Sequence, residues 1–495
     1  MSHVTKSTLN ERSTIRYGFV FFVLGFLLLC RLIAMDALPL NDSTEARYGE
    51  IARIMLETGN WVTPMQAYGE PFWAKPPLSM WLSAFSMKWL GVNGWAARLP
   101  SLCFSLCVLG LVGLLAARRR GSDFAMIAVV VLAGTPYFFL NAGTVMTDPA
   151  LLFCTTLCMV ACWFSVSEDS KPWGILFFVG LGLGLLAKGP LVGVLVMGPL
   201  LMWATKQHAY RLLWQRLPWV WGSLLMLAIA LPWYVLAEIR TPGFLQYFVI
   251  GEHLSRFLEP AWQGDKYGFA HAAPYGMIWV YAFVGLLPWP IIAAVGLWTS
   301  RKTVGKNVFD PEQDGWMSYL FFFALMPLVF FTFSRNIIYP YTFSSLPALA
   351  LLFAEGMRHQ AFPAMTLPRC ARFAALIGGI FLLVSGLFMF KPIWVSQSQD
   401  RVIAAWRQQA SPPGRHLMYW AVHPEYSAQF YSEGKIKATR DVATLERYLS
   451  AHPLNYVVVK ARELDEIPAA LRLHWQKVAS IDTFKNNMIL FKARQ

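Results

Sequence analysis

Apolar segments alternate with short polar stretches along most of the chain. Eleven such segments lie near residues 17–35, 96–117, 123–140, 147–166, 173–188, 189–205, 216–238, 272–297, 316–333, 339–356 and 370–390. A helix needs about 20 apolar residues to cross the hydrocarbon core of a bilayer. The pattern therefore predicts an α-helical polytopic membrane protein with about 11–13 transmembrane helices.

The first polar stretch, residues 37–95, has the pattern of ordered structure. Ser43 or Thr44 is placed to cap a helix, and Gly59 is placed to end it. Apolar residues recur in this helix at spacings of three and four, which is typical of a helix that lies along the membrane interface. A second helix is predicted over residues 78–90, where two prolines stiffen the entry.

The composition changes near residue 392, where charged and polar residues return. Helices are predicted over residues 401–409, 424–432 and 442–451, and strands over residues 417–422, 456–460 and 488–492. Residues 392–495 are therefore expected to form a small α/β domain. We see no metal motif, nucleophile elbow or Gly-rich phosphate loop in its sequence.

The overall composition agrees with a membrane protein. Of the 495 residues, 56% are hydrophobic and 14% are charged, whereas soluble proteins carry about 25% charged residues. The net charge of +14 would suggest a nucleic-acid partner for a soluble protein. Here basic residues collect near the ends of apolar segments, as they do in cytoplasmic loops, so we expect no nucleic-acid partner.

The basic clusters also predict which loops share a side of the membrane. With the tail of residues 1–16 in the cytoplasm, almost every basic cluster near a helix end falls on the cytoplasmic side. The loops 37–95 and 239–271 then lie on the outer side, together with the C-terminal domain. Residues 17–391 are expected to form the membrane domain.

The seven cysteines lie in or beside apolar segments, which argues against a disulfide framework and a Cys-based metal site. Cys154, Cys158 and Cys162 would share one helix face, as small residues do where membrane helices pack. The sequence contains no Rossmann or P-loop motif. We expect neither a metal nor another cofactor.

Charged residues from separate parts of the chain fall on the predicted outer side. They are Asp42, Glu45, Lys75, Asp148, Lys188, Arg256 and Arg335. Ionisable residues at membrane helices are costly and are candidates for function. A carboxylate can act as a general base on an acceptor hydroxyl, and cations can stabilise a departing phosphate. The set therefore suggests displacement of an anionic leaving group by a deprotonated nucleophile.

Several of these residues also have a structural interpretation. Asp42 and Glu45 would lie near one another at a helix start, where acids cap the helix and interact favourably with its dipole. Asp148 precedes a proline, as a helix N-cap often does. Lys75 and Lys188 can anchor at the interface with their ammonium groups in water.

The second outer loop adds a short charged segment. Glu252 and Arg256 are spaced i, i+4 and are predicted to pair on one helix face. Arg256 would also suit a phosphate. His253 has one acid nearby, which favours a solvated or hydrogen-bonded histidine over a metal ligand.

A series of motifs resembles a known family. They are Ala46–Ile51, Gly59–Trp61, Lys75–Leu78, Ala97–Pro100, Thr147–Pro149, Lys188–Pro190 and Glu252–Phe257. In this order they are similar to the bacterial relatives of protein O-mannosyltransferases, and among these to the lipid A 4-amino-4-deoxy-L-arabinose transferases. These are GT-C enzymes with many membrane helices that use a polyprenyl-phosphate sugar and invert the anomeric centre. The resemblance covers most of residues 16–390.

The resemblance implies a role for each matching residue. It implies catalytic roles for Asp42, Glu45 and Asp148. It implies binding of the donor phosphate by Lys75, Arg256 and Arg335. It implies a substrate cavity that includes Arg47, Tyr48, Lys188, Glu252, His253, Tyr339 and Tyr341.

Two departures from the family pattern concern the head group. Ala74 stands where the aminoarabinose transferases usually have a glutamate, so a metal held by that glutamate is not expected. Residues 338–342 read IYPYT where those enzymes carry a Lys-Leu-Pro-Thr-Tyr stretch, and Arg335 is a candidate to replace the missing lysine. The identity of the sugar and of the acceptor is therefore left open.

Together, these features predict an inverting glycosyltransferase of the bacterial inner membrane whose site faces the periplasm. It would move a sugar, such as 4-amino-4-deoxy-L-arabinose or a related one, from undecaprenyl phosphate to lipid A or another lipopolysaccharide component. Two alternatives are a protein O-glycosyltransferase and a lipid-linked sugar flippase or transporter. A transporter would predict internal repeats, and we find none in the sequence. The protein is expected to be a monomer.

Overall fold

The computed structural model describes residues 2–268, 272–304, 314–390, 397–409, 416–451, 455–484 and 486–493. Helices make up most of the described chain before residue 390, and a mixed sheet with helices follows it. This arrangement confirms the predicted fold class of a helical membrane protein with a small C-terminal α/β domain.

The helical part begins with α1 to α6. Their bounds are Ser2–Ala37 (α1), Thr44–Thr58 (α2), Leu78–Leu90 (α3), Gly94–Arg120 (α4), Ser122–Ala133 (α5) and Pro136–Asn141 (α6). A two-stranded antiparallel ribbon of Met65–Ala67 (β1) and Glu70–Pro71 (β2) lies between α2 and α3.

The next helices are α7 to α11. Their bounds are Asp148–Glu168 (α7), Lys171–Lys188 (α8), Leu191–Gln207 (α9), Tyr210–Arg216 (α10) and Trp219–Arg240 (α11). A π-helical segment, Gln246–Ser255, then runs directly into the short helix Arg256–Leu258 (α12).

The helical part ends with α13 to α17. Their bounds are Met277–Gly285 (α13), Trp289–Val304 (α14), Trp316–Thr332 (α15), Leu346–Arg358 (α16) and Leu367–Phe390 (α17). A 3₁₀ segment, Tyr339–Ser345, leads into α16.

All eleven predicted apolar segments contain helix, but their lengths differ. Within the described ranges, six helices are long and apolar enough to cross a membrane, in α1, α4, α7, α8, α11 and α17. The bent pair α13 and α14, with 89° between its halves, would make a seventh. The apolar helices α5, α9 and α15 are shorter. Among the described residues, six or seven spans therefore have full length, and the remaining apolar segments form shorter or interrupted helices.

Helix α7 is the most deeply buried of the six long helices. Its Cys154, Cys158 and Cys162 are all buried. A Cβ on Gly180 of α8 would lie 2.7 Å from the Cys158 sulfur. The two helices therefore approach closely because small residues meet at their contact, as predicted.

The two helices predicted in the first polar stretch are present as α2 and α3. Helix α2 has Ser43 at its N-cap position, although the Ser43 side chain makes no capping hydrogen bond. Gly59 ends the helix in the left-handed conformation, with φ of 67°, which glycine adopts without steric cost. Helix α3 begins directly after Pro77.

The C-terminal part is a five-stranded sheet with strand order β4-β3-β5-β7-β6. The strands are His416–Trp420 (β3), Ile436–Thr439 (β4), Asn455–Lys460 (β5), Trp475–Asp482 (β6) and Asn487–Ala493 (β7). Strand β3 pairs in parallel with β4 and β5, whereas β7 is antiparallel to β5 and β6.

The helices of this part are Asp400–Gln409 (α18), Tyr426–Ser432 (α19), Val442–Ala451 (α20) and Ala469–Arg472 (α21). The predicted helices match α18, α19 and α20, and the predicted strands match β3, β5 and β7. Strands β4 and β6 were missed. Strand β4 is only four residues long, and β6 has no buried residue, so neither carries a strong apolar pattern.

Candidate active site

A cavity of about 380 Å³ brings charged residues together from distant parts of the chain. We call it the cationic cavity. Its polar lining includes Lys75, Lys188, Glu252, His253, Arg256 and Tyr341, and its apolar lining includes Leu191, Val194, Ile250, Phe257 and Phe330. The cavity therefore combines a charged end with an apolar wall.

Lys75 reaches this cavity from the first polar stretch. It lies just before Pro76 and Pro77, whose rings restrict the backbone ahead of α3. Its ammonium group donates to Glu252 at 2.8 Å and to the carbonyl of Ala74 at 2.7 Å. The chain thus fixes this lysine at the cavity wall, where its side chain is 19% exposed.

Glu252 lies between two cations in the cavity. Besides Lys75, the guanidinium of Arg256 contacts Glu252 at 3.0 Å and Asp265 at 3.4 Å. Burial alone would raise the pKa of Glu252, but Lys75 and Arg256 outweigh it and lower that pKa to about 2. The predicted pair of Glu252 and Arg256 is confirmed, and Asp265 is an additional member that the sequence did not suggest.

A second buried ion pair lies next to the cavity. The Lys188 ammonium is 2.5 Å from a carboxylate oxygen of Asp148, and both side chains are 7% exposed. The ammonium also lies 4.8 Å from the centre of the Tyr341 ring, a favourable cation–π geometry. Asp148 is the first residue of α7, and Thr147 precedes it at the N-cap position. The N-cap residue of α7 is therefore Thr147, one position before the predicted Asp148.

The His253 ring is engaged by backbone carbonyls. Its Nδ1 lies 2.8 Å from the carbonyl of Phe248, and its Nε2 lies 3.2 Å from the carbonyl of Lys188. Burial lowers the pKa of the ring. The described residues contain no group of three His, Cys, Asp or Glu side chains that could hold a metal ion. His253 thus matches the prediction of a hydrogen-bonded histidine.

Glu45 belongs to a different cluster. Both of its carboxylate oxygens accept from Arg98, at 2.8 and 2.6 Å, and one also accepts from the backbone N–H of Val145 at 3.1 Å. Burial would raise the pKa of Glu45, but Arg98 outweighs it and the pKa is lowered. The guanidinium of Arg31 lies close enough to interact with both Glu45 and Arg98.

Sequence reasoning gave no role to Arg31 or Arg98. One available signal was the position of Arg31 inside the first apolar segment, because an ionisable residue there is costly and therefore a candidate for function. Arg98 is the arginine of the Ala97–Pro100 motif, and it could have been considered as a partner for an acid. The structure makes it that partner for Glu45.

Asp42 is absent from the lining of the cationic cavity and contacts the C-terminal domain. Its carboxylate accepts from the backbone N–H of Ser427 at 3.0 Å and from the Ser427 hydroxyl. Burial raises the pKa of Asp42 to about 7, although the bonds from Ser427 act in the opposite direction. Asp42 and Glu45, which were expected to lie near one another, are each bound by a different partner: Ser427 holds Asp42, and Arg98 holds Glu45.

The neighbouring backbone is held by the same domain. The Leu40 N–H donates to the Tyr431 hydroxyl at 2.7 Å, and the Gln397 N–H donates to the Asn41 side chain at 2.6 Å. No local sequence signal pointed to Ser427 or Tyr431, since their partners lie almost 400 residues away in the chain.

The other predicted residues occupy the surroundings of the two clusters. Arg47 donates to the carbonyl of Tyr267 and lies 5.7 Å from the centre of the Phe72 ring. Tyr48 is buried with its ring edge-on to Phe72. Tyr339 is partly exposed and contacts the Tyr137 ring at 4.9 Å between centroids.

Arg335 is the predicted phosphate ligand that the structure places elsewhere. Its guanidinium lies 5.4 Å from the centre of the Tyr275 ring. Its neighbours Ser334 and Asn336 line the cationic cavity, whereas Arg335 is absent from that lining. A direct phosphate contact by Arg335 therefore has no support from this geometry.

Comparison with known proteins agrees with the resemblance inferred from the sequence motifs. Residues 17–248 match the family model described as dolichyl-phosphate-mannose-protein mannosyltransferase. The chain is 27% identical over 380 residues to undecaprenyl phosphate-alpha-4-amino-4-deoxy-L-arabinose arabinosyl transferase 1 of Pseudomonas fluorescens, covering 72% of this chain and 64% of the relative. It is also 27% identical over 346 residues to the corresponding transferase of Shewanella sediminis, covering 67% and 58% respectively.

The fold is similar to a solved structure over nearly its full length. The crystal structure of ArnT from Cupriavidus metallidurans bound to undecaprenyl phosphate superposes with a TM-score of 0.77 at 18% identity, covering 96% of this chain and 98% of that one. The chain spans about three fifths of the length of the two curated relatives. The resemblance inferred from the sequence motifs is therefore confirmed, and so is the type of fold.

Proposed function

We propose that this chain, which has a GT-C fold and resembles the protein O-mannosyltransferase-like enzymes, is a glycosyltransferase that uses a polyprenyl-phosphate sugar. The observation that carries the proposal is the cationic cavity. It gathers Lys75, Lys188 and Arg256 at one end and an apolar wall at the other. A lipid phosphate has the matching chemistry, since it joins a dianionic or monoanionic head to a hydrocarbon tail.

In this proposal the donor is a sugar linked to undecaprenyl phosphate. Its tail lies along the apolar wall, and its phosphate is held by Lys75 and Arg256. Both cations already share Glu252, so an incoming phosphate finds them fixed in place by a carboxylate. Cations that are positioned in advance stabilise the charge that develops on a leaving phosphate without further rearrangement.

The acceptor attacks the anomeric carbon from the face opposite the phosphate, which inverts that centre. The new bond joins the acceptor oxygen to the anomeric carbon, the bond to the phosphate oxygen breaks, and the acceptor proton passes to a carboxylate. With a pKa near 7, Asp42 is suited to take up a proton at neutral pH. Asp148 is paired with Lys188, which lines the cationic cavity. From there Asp148 would orient the reacting groups.

The acceptor in this proposal is lipid A or another lipopolysaccharide component, and the sugar is 4-amino-4-deoxy-L-arabinose or a related one. The names of the relatives support this choice of sugar. The site would face the periplasm of a bacterial inner membrane. The basic clusters near helix ends support that orientation through the positive-inside rule.

The decisive experiment uses the purified full-length chain in lipid vesicles with undecaprenyl phosphate that carries a radiolabelled sugar. Label recovered on lipid A supports the proposal. Label recovered on protein would favour a protein O-glycosyltransferase. Label that crosses the bilayer while still attached to undecaprenyl phosphate would indicate a flippase, and label that neither moves nor transfers would contradict both activities.

A second measurement identifies the product. Mass spectrometry of envelope lipids from a deletion strain is expected to reveal one lipid species that lacks a sugar. Reintroducing the wild-type gene is expected to restore the sugar on that lipid. A chain with Lys75→Ala serves as the matched negative control, because its donor site lacks the ammonium group.

A further inference from the structure

The carboxylates of the cationic cavity lie deeper than its cations. The side chains of Lys75 and Arg256 are 19% and 20% exposed, whereas those of Glu252 and Asp265 are 2% and 6% exposed. Asp265 is absent from the lining of the cavity, although its carboxylate lies 3.4 Å from the guanidinium of Arg256. A ligand in the cavity would therefore contact the cations directly and interact with Asp265 only at longer range.

Both carboxylates are fixed by further hydrogen bonds. The Tyr247 hydroxyl donates to Glu252 at 3.3 Å, and the backbone N–H of Tyr267 donates to Asp265 at 3.0 Å. Since the neighbouring cations lower the pKa of Glu252 to about 2, this carboxylate is ionised at neutral pH. The two acids are thus held in place behind the surface that a ligand would touch.

The charges around the cavity cancel. Its lining carries three cations, and each of them forms an ion pair with an acid. The pairs are Lys75 with Glu252, Lys188 with Asp148, and Arg256 with Asp265. His253 and Tyr341 also belong to the lining and add no charge near neutral pH, because burial lowers the pKa of the histidine. The described residues therefore give the site a net charge close to zero.

Two other charged residues of the same loop lie outside the lining. Glu259 and Lys266 are both exposed and are absent from the cationic cavity. They carry opposite charges, and solvent and salt screen exposed charges. They therefore do not alter the balance at the site.

The proposed reaction changes the charge of the lipid phosphate. The donor is a phosphodiester with one negative charge. When its bond to the anomeric carbon breaks, the electron pair stays on the phosphate oxygen, and the product is a monoester whose second acid group has a pKa near 6. The product is therefore mostly a dianion at neutral pH. In a site whose charges cancel, the second charge gains no net attraction but still loses its hydration.

We infer that Asp265, together with Glu252, makes the cationic cavity select the monoanionic phosphodiester over the dianionic monoester, so that the spent lipid phosphate leaves after transfer. This inference rests on the proposed function. In it, Asp265 acts through its charge and not through contact with the substrate. Lys75 and Arg256 hold the phosphate during the reaction, whereas the carboxylates behind them limit how tightly the product is held.

The first test compares two lipids on the wild-type full chain in phosphatidylcholine nanodiscs. One is undecaprenyl phosphate. The other is its methyl ester, which cannot take a second negative charge and has no sugar to transfer. Between about pH 5 and about pH 8, the affinity for undecaprenyl phosphate relative to the methyl ester is expected to fall about tenfold. A relative affinity that is constant or rises with pH would overturn the inference.

The second test removes the charge of Asp265 and keeps its shape. Asp265→Asn is expected to bind undecaprenyl phosphate about tenfold more tightly than the wild type at about pH 8, with a smaller gain for the methyl ester. Asp265→Glu keeps the carboxylate and is expected to keep the wild-type ratio of affinities. Glu259→Gln is the matched control, because it removes one exposed carboxylate from the same loop and should also keep that ratio.

A gain in affinity separates the charge of Asp265 from a structural role, since a damaged site binds more weakly. If Asp265→Asn binds both lipids more weakly than the wild type, Asp265 only holds Arg256 in position and the inference is wrong. If Glu259→Gln gives the same gain as Asp265→Asn, the effect belongs to the net charge of the loop and the inference is again wrong.

Sugar transfer in vesicles judges the proposed function separately. Added undecaprenyl phosphate is expected to inhibit Asp265→Asn at about tenfold lower concentration than the wild type. A wild type that transfers sugar but shows no change in relative affinity with pH would contradict the inference and leave the function intact. A wild type with the expected change in relative affinity that transfers no sugar would contradict the function alone.

Discussion

The two ends of the first polar loop carry opposite charges and have different surroundings. Lys75 lines an open cavity, where it shares Glu252 with Arg256. Asp42 is covered by the C-terminal domain and accepts two hydrogen bonds from Ser427. The lysine is therefore available to a ligand in this structure, whereas the carboxylate is occupied by another part of the same chain.

The difference suggests that the loop serves two purposes. Its end at Lys75 builds a wall of the cationic cavity, and its start is the docking point for the C-terminal domain, which also holds Leu40 and Asn41. A catalytic Asp42 would require the acceptor to reach it beside Ser427. If Asp42 only docks the C-terminal domain, its role requires only that it accepts hydrogen bonds.

Asp42→Asn separates these two roles and has the largest expected effect. The asparagine carbonyl can still accept from the Ser427 N–H, but it cannot take up a proton. If Asp42 is the general base, sugar transfer in vesicles falls by about 100- to 10,000-fold. If the Asp42→Asn variant keeps full transfer activity, Asp42 is not the general base and serves only to dock the C-terminal domain. Thermal unfolding of both proteins checks that the variant remains folded.

Lys188→Met tests the ion pair behind the cationic cavity. It leaves the Asp148 carboxylate buried without its partner, and removing one member of such a pair costs about 3–5 kcal/mol of folding stability. Chemical unfolding in detergent measures this loss. The double variant Lys188→Met/Asp148→Asn is expected to recover much of it, since the uncompensated charge is gone. An equally unstable double variant would mean that packing, not charge, explains the loss.

Lys75→Ala tests the open end of the loop. Loss of a charge-assisted hydrogen bond of about 1.5–3 kcal/mol would weaken undecaprenyl phosphate binding by roughly 10- to 150-fold. Arg335→Ala is the matched control, because that cation lies beside the cavity without lining it. If Lys75→Ala binds undecaprenyl phosphate as tightly as the wild type, Lys75 does not bind the phosphate. If Lys75→Ala and Arg335→Ala lose the same affinity, the loss is a general effect of charge.

The pH dependence of transfer gives the smallest and most specific effect. Because burial raises the pKa of Asp42 to about 7, the rate should rise with pH through about that value as the carboxylate ionises. The Ser427 hydroxyl stabilises the ionised form, so Ser427→Ala should raise the pKa further and move the midpoint to higher pH. An unshifted profile in Ser427→Ala would mean that another group controls the rate.

Local patterns predicted much of the fold. Apolar segments located the helices of the membrane domain, and Gly59 located the end of α2. The i, i+4 spacing of Glu252 and Arg256 anticipated an ion pair that the structure contains. Strands β4 and β6 were missed because a short strand and an exposed edge strand have little apolar periodicity.

The candidate site was only partly predictable. Lys75 and Glu252 are 177 positions apart, and the convergence of cations on one side was anticipated through charge and topology. Arg335 does not line the cationic cavity, although its neighbours Ser334 and Asn336 do, because sequence position does not determine which side chain of a loop enters a cavity. Neither the pairing of Glu45 with Arg98 nor the proximity of Arg31 to that pair could be read from spacing.

The sequence by itself determined where helices form, which segments are apolar enough for a membrane and which short-range charges can pair. These properties depend on residues within a few positions of one another. Only the tertiary structure decided that Asp42 meets Ser427, 385 positions away, and that Arg98 meets Glu45, 53 positions away. Such contacts depend on how helices pack and where the C-terminal domain docks, which no local periodicity specifies.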